Sequence, residues 1–190
     1  MMGPLESAPQ VGRPVLGSVP LGGCVGNVVE ISVAAGQGYG STPLSAFDAA
    51  LRHAGVHNYN LIMLSSVIPP GAVVRVQRPC APARDYGHRL YVVKADIRSR
   101  AAGRFIGAAL GWYQLPDGRG VFVEHEEIGE TKLAVESSLA AEVRRSLSDL
   151  CRARDFPLSE EQMKLEMSIA QVDGCAACAL ALAVYRAEQW

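Results

Sequence analysis

Hydrophobic positions along the chain recur with two different periods, and each change of period marks an element. Val28 to Ala35, Val-Val-Glu-Ile-Ser-Val-Ala-Ala, reads as a strand. It runs into Gly36-Gln37-Gly38-Tyr39-Gly40, which is expected to form a tight turn where the backbone passes close to another part of the molecule. As a phosphate loop this segment lacks the Gly-Lys-Ser/Thr ending, and it falls one residue short of the Gly-x-Gly-x-x-Gly pattern. The period then lengthens. Leu44, Phe47, Leu51 and Ala54 follow at spacings of three, four and three, the buried stripe of a helix. Thr42 suits its N-cap, Pro43 its first position and Gly55 its stop.

The apolar run Leu61 to Leu64 reads as a buried strand that delivers Ser65 and Ser66 before Val67-Ile68 and the double proline Pro69-Pro70. Gly71 to Ala83 is irregular. Leu90 to Ile97 and Arg104 to Tyr113 read as strands with a turn between them, and Pro116-Asp117-Gly118-Arg119-Gly120 is a second turn. A strand from Val121 to Glu127 follows, in which alternation puts Glu124 and Glu126 on one face and His125 and Glu127 on the other, with Glu126 and Glu127 expected to face solvent. Lys132 to Arg154 is a long helix with a stripe at Ala140, Val143, Leu147 and Leu150, broken by Phe156-Pro157. Strands over Lys164 to Val172 and Cys175 to Tyr185 complete the chain. Residues 1–27, rich in Gly and Pro, are expected to be an extended arm, disordered at its start, ahead of one domain over residues 28–190. The order of elements gives an α/β or α+β fold with a largely sheet core.

Composition narrows the function. A chain of 190 residues accommodates one well-buried core. With 49% hydrophobic and 19% charged residues and a net charge of −1, nothing favours nucleic acid or an anionic membrane, which leaves small molecules or further copies of the chain as partners. The opening Met-Met-Gly-Pro-Leu-Glu lacks the basic head and apolar stretch of a signal peptide, and Cys175 to Tyr185 is too short to span a bilayer, so a cytoplasmic protein is expected. The five cysteines, Cys24, Cys80, Cys151, Cys175 and Cys178, are odd in number and irregularly spaced, which is no disulfide framework. Cys175 and Cys178 point to opposite faces if both lie in a strand, with no second Cys/His pair, so buried structural thiols and no metal site are expected.

The chemistry centres on residues 58–70, Asn-Tyr-Asn-Leu-Ile-Met-Leu-Ser-Ser-Val-Ile-Pro-Pro. Pro69 and Pro70 fix their own φ, remove two donors and push Ile68 towards extended geometry, which limits relaxation of the peptide just upstream. A serine hydroxyl held against a constrained peptide bond can attack the adjoining carbonyl and convert the amide to an ester. Elimination of that ester leaves dehydroalanine, which hydrolyses to a pyruvoyl group with loss of ammonia. Adjacent serines at a strand end equally suit a solvated turn or a helix cap. Other candidates are two-sided in the same way. Asp48, at the border of the helix stripe, is either a solvated helix aspartate or a carboxylate able to take paired hydrogen bonds from a guanidinium. Asn60 is either a turn residue or an amide donor to a developing oxyanion. Glu124, straight after Gly-Val-Phe-Val, is placed for partial desolvation, which raises a carboxyl pKa and makes it a usable proton donor.

The succession Gly36-Gln37-Gly38-Tyr39-Gly40-Ser41-Thr42-Pro43-Leu44-Ser45-Ala46-Phe47-Asp48-Ala49-Ala50-Leu51, then Asn58-Tyr59-Asn60-Leu61 and Leu64-Ser65-Ser66-Val67-Ile68-Pro69-Pro70, closely resembles the pyruvoyl-dependent arginine decarboxylases. The resemblance runs from about Ser32 to Arg186 and thins between residues 71 and 104. It implies a layered αββα sandwich, trimers with active sites between neighbours, and a precursor that splits between Ser65 and Ser66 into residues 1–65 and 66–190. Ser66 then becomes the pyruvoyl cofactor, Asp48 holds the substrate guanidinium, Asn60 assists processing and catalysis, and Glu124 donates the proton. The pyruvoyl ketone condenses with the substrate amine and its neighbouring carbonyl takes the electron pair left by carbon dioxide. No pyridoxal phosphate is expected, since Lys94, Lys132 and Lys164 sit in no setting of that kind. L-Arginine going to agmatine is the first expectation. The alternatives are another amino acid on the same scaffold, a hydrolase that keeps Ser66 as an N-terminal nucleophile, or an unprocessed non-catalytic partner protein.

Overall fold

The computed structural model describes residues 28–190, so the expected arm and Cys24 lie outside the described residues. Two sheets lie face to face with one helix on each outer side, an αββα sandwich. The first sheet has the order β2-β5-β9-β1-β4, from β1 (Glu30–Gly40), β2 (Asn60–Met63), β4 (Val73–Val76), β5 (Arg89–Ser99) and β9 (Ala176–Glu188). The second has the order β3-β7-β6-β8, from β3 (Val67–Ile68), β6 (Phe105–Gln114), β7 (Gly120–Gly129) and β8 (Lys164–Gln171). Helix α1 (Pro43–Ala54) covers the first sheet and α2 (Lys132–Ala153) the second. Among the described residues no helix is long and apolar enough to cross a membrane.

Strand β9 explains how the layers form. Its run Ala-Ala-Cys-Ala-Leu-Ala-Leu-Ala-Val-Tyr is apolar at every position because both faces are covered. Ala176, Cys178, Leu180, Leu182 and Val184 face α1, while Ala177, Ala179, Ala181, Ala183 and Tyr185 face the other sheet. Small residues on the inner face let the two sheets come together around Ile106, Leu110, Trp112 and Phe122.

The glycine segment corrects one expectation. Gly36 to Gly40 does not turn; it continues β1, paired with β9 as far as Gly40 opposite Ala176. Alternation sets its three glycines on one face, and there α1 lies directly on the strand. A Cβ at Gly38 would stand 2.3 Å from the Ala46 carbonyl oxygen and one at Gly36 would stand 2.4 Å from that of Ala50. The expected close approach is therefore to a helix rather than at a bend. Thr42 caps α1 as expected, its Oγ1 accepting from Ser45 N at 3.0 Å, and Gly55 ends it at φ +85°. The buried stripe is rotated from the expected one: Ala46, Ala50, Leu51 and Ala54 face inward and Leu44 is 71% exposed. The reason is the glycine face, which selects small partners and turns the larger leucine outward.

Three further expectations change. Leu61 to Leu64 is not a buried run, because β2 is the outermost strand of its sheet, paired in parallel with β5 alone, and Met63 is 51% exposed. The irregular stretch after Gly71 contains β4, which pairs in parallel with β1. Cys175 is exposed because it precedes β9, whereas Cys178 and Cys151 are buried; burial pushes the Cys178 thiol up to about 11, and Cys80 is exposed. Along α2 the buried positions are Val135, Leu139, Val143, Leu147 and Cys151, with Ala140 and Leu150 half-buried at the margins.

Candidate active site

The link from β2 to β3 carries the chain from one sheet to the other, and Ser65 and Ser66 lie in that crossing. Upstream, Leu64 N donates to Val92 O of β5 at 2.8 Å, which ties the link to the first sheet. Downstream, Phe122 N of β7 donates to Ser66 O at 2.9 Å, and Val67 pairs with Val121 in the second sheet. Tyr185 of β9 donates its hydroxyl to Val67 O at 2.9 Å, bridging back to the first sheet. The Ser65–Ser66 peptide is thus held by main-chain bonds on both sides. At its centre Val67 N donates to Ser65 O at 2.8 Å, a three-residue turn about Ser66.

Ser66 is half-buried and donates its hydroxyl to Glu124 Oε1. Glu124 shares the face of Phe122, which packs between the sheets, so the strand's alternation delivers the carboxylate to the crossing. Burial, and after it the nearby Glu124 carboxylate, push the Tyr185 phenol well up, so this hydroxyl stays protonated as a donor. Beside Ser66 and Glu124 a pocket of about 340 Å³ opens, lined also by Phe122, His125, Ser146 and Asp149. It wraps the edge of β7 that β3 leaves uncovered beyond Val121. As alternation predicts, His125 faces α2, where its Nε2 lies 2.9 Å from Ser146 Oγ. Glu126 is exposed, whereas Glu127 is half-buried and accepts from Ser138 Oγ of α2 at 2.7 Å, a correction to its expected solvation.

The other two candidates lie elsewhere on the chain. Asn60 starts β2, at the end away from the serines, and its amide donates to Gly87 O at 2.7 Å. Asp48 stands on α1, on the outer side of the first sheet, 55% exposed and 3.3 Å from Arg52 of the next turn. Both are accessible, and neither touches the Ser66–Glu124 pair within one chain. Sequence reasoning missed the parts made of main chain, Val67 N and Phe122 N, since a backbone donor leaves no mark in composition. Tyr185 does leave one, as the hydroxyl that closes an otherwise apolar run. Among the described residues no group of three or more His, Cys, Asp or Glu is placed to share a metal ion.

The pyruvoyl-dependent arginine decarboxylase family profile matches residues 30–189. A pyruvoyl-dependent arginine decarboxylase of Thermoplasma volcanium is 33% identical over 159 residues, covering 80% of this chain and 87% of the relative. One of Halobacterium salinarum is 33% identical over 156 residues, covering 82% and 93%. One of Methanocaldococcus jannaschii is 41% identical over 80 residues, covering 42% and 46%. The chain belongs to the pyruvoyl-dependent arginine decarboxylase family.

Proposed function

We propose that this chain is a precursor that cuts itself between Ser65 and Ser66, converts Ser66 to a pyruvoyl group, and decarboxylates L-arginine to agmatine and carbon dioxide. One observation carries the reading: the Ser66 hydroxyl donates to Glu124 at a peptide clamped between two sheets. A nucleophile bonded to a carboxylate base, beside an immobilised carbonyl, has the parts of an acyl shift. The residues fit the group they would generate. Position 66 keeps its own carbonyl on Phe122 N and opens into the pocket beside Glu124. When formed, a pyruvoyl group supplies a ketone for the substrate amine and an acceptor for the electron pair that carbon dioxide leaves behind. Glu124 Oε1 accepts the Ser66 proton during maturation and returns a proton to the substrate carbon during turnover. Phe122 and Val123 line the same pocket beside that carboxylate.

Asp48 is the residue assigned to the substrate guanidinium, by a charge-assisted pair of hydrogen bonds, and Asn60 supports processing and catalysis. Because both stand apart from Ser66 in one chain, we assign them to the Ser66 site of a neighbouring copy, in a homo-oligomer that the family resemblance implies is a trimer. Exposed apolar side chains on α1, on β2 and beside Ser66 support this: Leu44 at 71%, Met63 at 51% and Val67 at 53% await cover. A cytoplasmic location completes the reading. Intact-mass measurement of purified protein, followed by amine release from a panel of amino acids, tests it. Fragments 1–65 and 66–190, the second lighter by one ammonia, with arginine the preferred substrate, are expected. A chain that stays whole, or a 66–190 fragment that keeps its serine, refutes it.

A further inference from the structure

The bond at the scissile carbonyl has a consequence for maturation, and it rests on the self-cleavage just proposed. Val67 opposes Val121, and Phe122 N reaches Ser66 O, so Val67 sits at a position of the antiparallel ladder where its own N–H points away from β7. Strand β3 is the edge of its sheet, and among the described residues no strand lies on that outer side. The N–H bends back to Ser65 O at 2.8 Å instead. That oxygen belongs to the carbonyl that the Ser66 hydroxyl must attack. Asn60 of the same chain, whose amide suits the same task by chemistry, is engaged with Gly87 O at the other end of β2. The Asn60 assigned above to this site belongs to a neighbouring copy, which leaves the Val67 N–H as the donor within the chain.

We propose that the main-chain N–H of Val67 is the oxyanion donor of self-cleavage, and that the three-residue turn about Ser66 exists to aim it. The electrons and protons then balance with one water and no other reactant. Ser66 Oγ forms a bond to the Ser65 carbonyl carbon while Glu124 takes the hydroxyl proton, and the carbonyl π pair moves onto Ser65 O, where the Val67 N–H meets it. The pair returns, the C–N bond breaks, and Glu124 gives its proton to the departing Ser66 nitrogen, leaving an ester and a free amine. Loss of the Ser66 α-proton then breaks the Cβ–O bond and frees residues 1–65 with the Ser65 carboxylate. The dehydroalanine left at position 66 tautomerises to an imine, which water hydrolyses to the ketone and ammonia. The donor is preorganised: Phe122 N and the Tyr185 hydroxyl fix the carbonyls on either side of it, so charge on Ser65 O meets a dipole already in place.

The test removes this one donor. Val67→α-hydroxyisovalerate replaces the N–H by an oxygen and keeps the side chain. Cleavage is followed by intact mass in the full chain, where fragments split at 65/66 differ in mass from those of ester hydrolysis at 66/67. Loss of an oxyanion donor is expected to slow the 65/66 split by about 100-fold or more. A natural chain that splits while the folded ester chain splits equally fast overturns the assignment and leaves self-cleavage standing; a natural chain that never splits overturns both. If the ester chain does not fold, amide hydrogen exchange in the uncleaved Ser66→Ala chain decides. A Val67 amide protected about 100-fold supports the donor, and exchange at the free-peptide rate overturns it.

Discussion

The contact between α1 and β1 fixes where Asp48 stands, and Gly38→Ala probes it. The added methyl would lie 2.3 Å from the Ala46 carbonyl oxygen and 2.3 Å from the Ala50 nitrogen. An ordinary contact is about 3.5 Å, so the helix has to retreat by roughly 1 Å. Both obstacles are main-chain atoms, which no change of rotamer can move. The retreat lifts the buried Ala46, Ala50 and Ala54 together from the sheet, so the cost falls at the upper end of overpacking, about 3 kcal/mol. For a body of this size that corresponds to roughly 6–12 °C in Tm. Gly174→Ala is the reference. Gly174 has φ +69° with nothing within 4 Å of a Cβ, so only backbone strain applies, about 1 kcal/mol. Thermal and urea unfolding of the two variants measure the difference. A Gly38→Ala protein that melts within about 2 °C of the natural chain, or above Gly174→Ala, refutes backbone-to-backbone packing. Because α1 carries Asp48, the same variant is expected to raise KM for arginine more than it lowers kcat.

Asp48→Asn removes the charge that would meet the guanidinium and is expected to lower kcat/KM for arginine about 10- to 100-fold with cleavage at 65/66 intact; steady-state rates and intact mass check the two parts. If sites form between copies, co-assembled Asp48→Asn and Glu124→Gln chains recover activity above that of either alone, and no recovery in mixed oligomers places all groups in one chain. Tyr185→Phe removes the bond to Val67 O, costing about 1 kcal/mol by chemical denaturation and slowing cleavage with it, while an unchanged cleavage rate denies Tyr185 any part in holding the turn. Burial pushes the Glu166 carboxyl above its ordinary value. A carboxyl raised in the folded state is unpenalised while protonated in both states, and it costs stability as pH rises through the folded value. Glu166→Gln is therefore expected to raise Tm at pH near 7 and to leave it unchanged near pH 3, as calorimetry at the two pH values shows.

Much of this protein is written in its sequence. Thr42, Pro43 and Gly55 bound α1 because caps are local chemistry, and the alternation through Glu124 puts that carboxylate on the face of Phe122 because strand geometry has a fixed period. The Ser65-Ser66 pair and Glu124, 58 positions apart, were legible as parts, and the fold joins them. Other features depend on neighbours that no window of sequence contains. The rotation of α1 follows from the glycines of β1 lying beneath it, and the exposure of Met63 from the place of β2 at the edge of its sheet. The donor on Ser65 O is a main-chain N–H, identical in every residue but proline. What selects Val67 is the register of β3 on β7 and the crossing between two sheets, and both are properties of the packed layers. Sequence determines the elements and the reactive groups through local and periodic constraints; which groups meet, and which backbone dipoles face them, is decided only when distant strands settle into register.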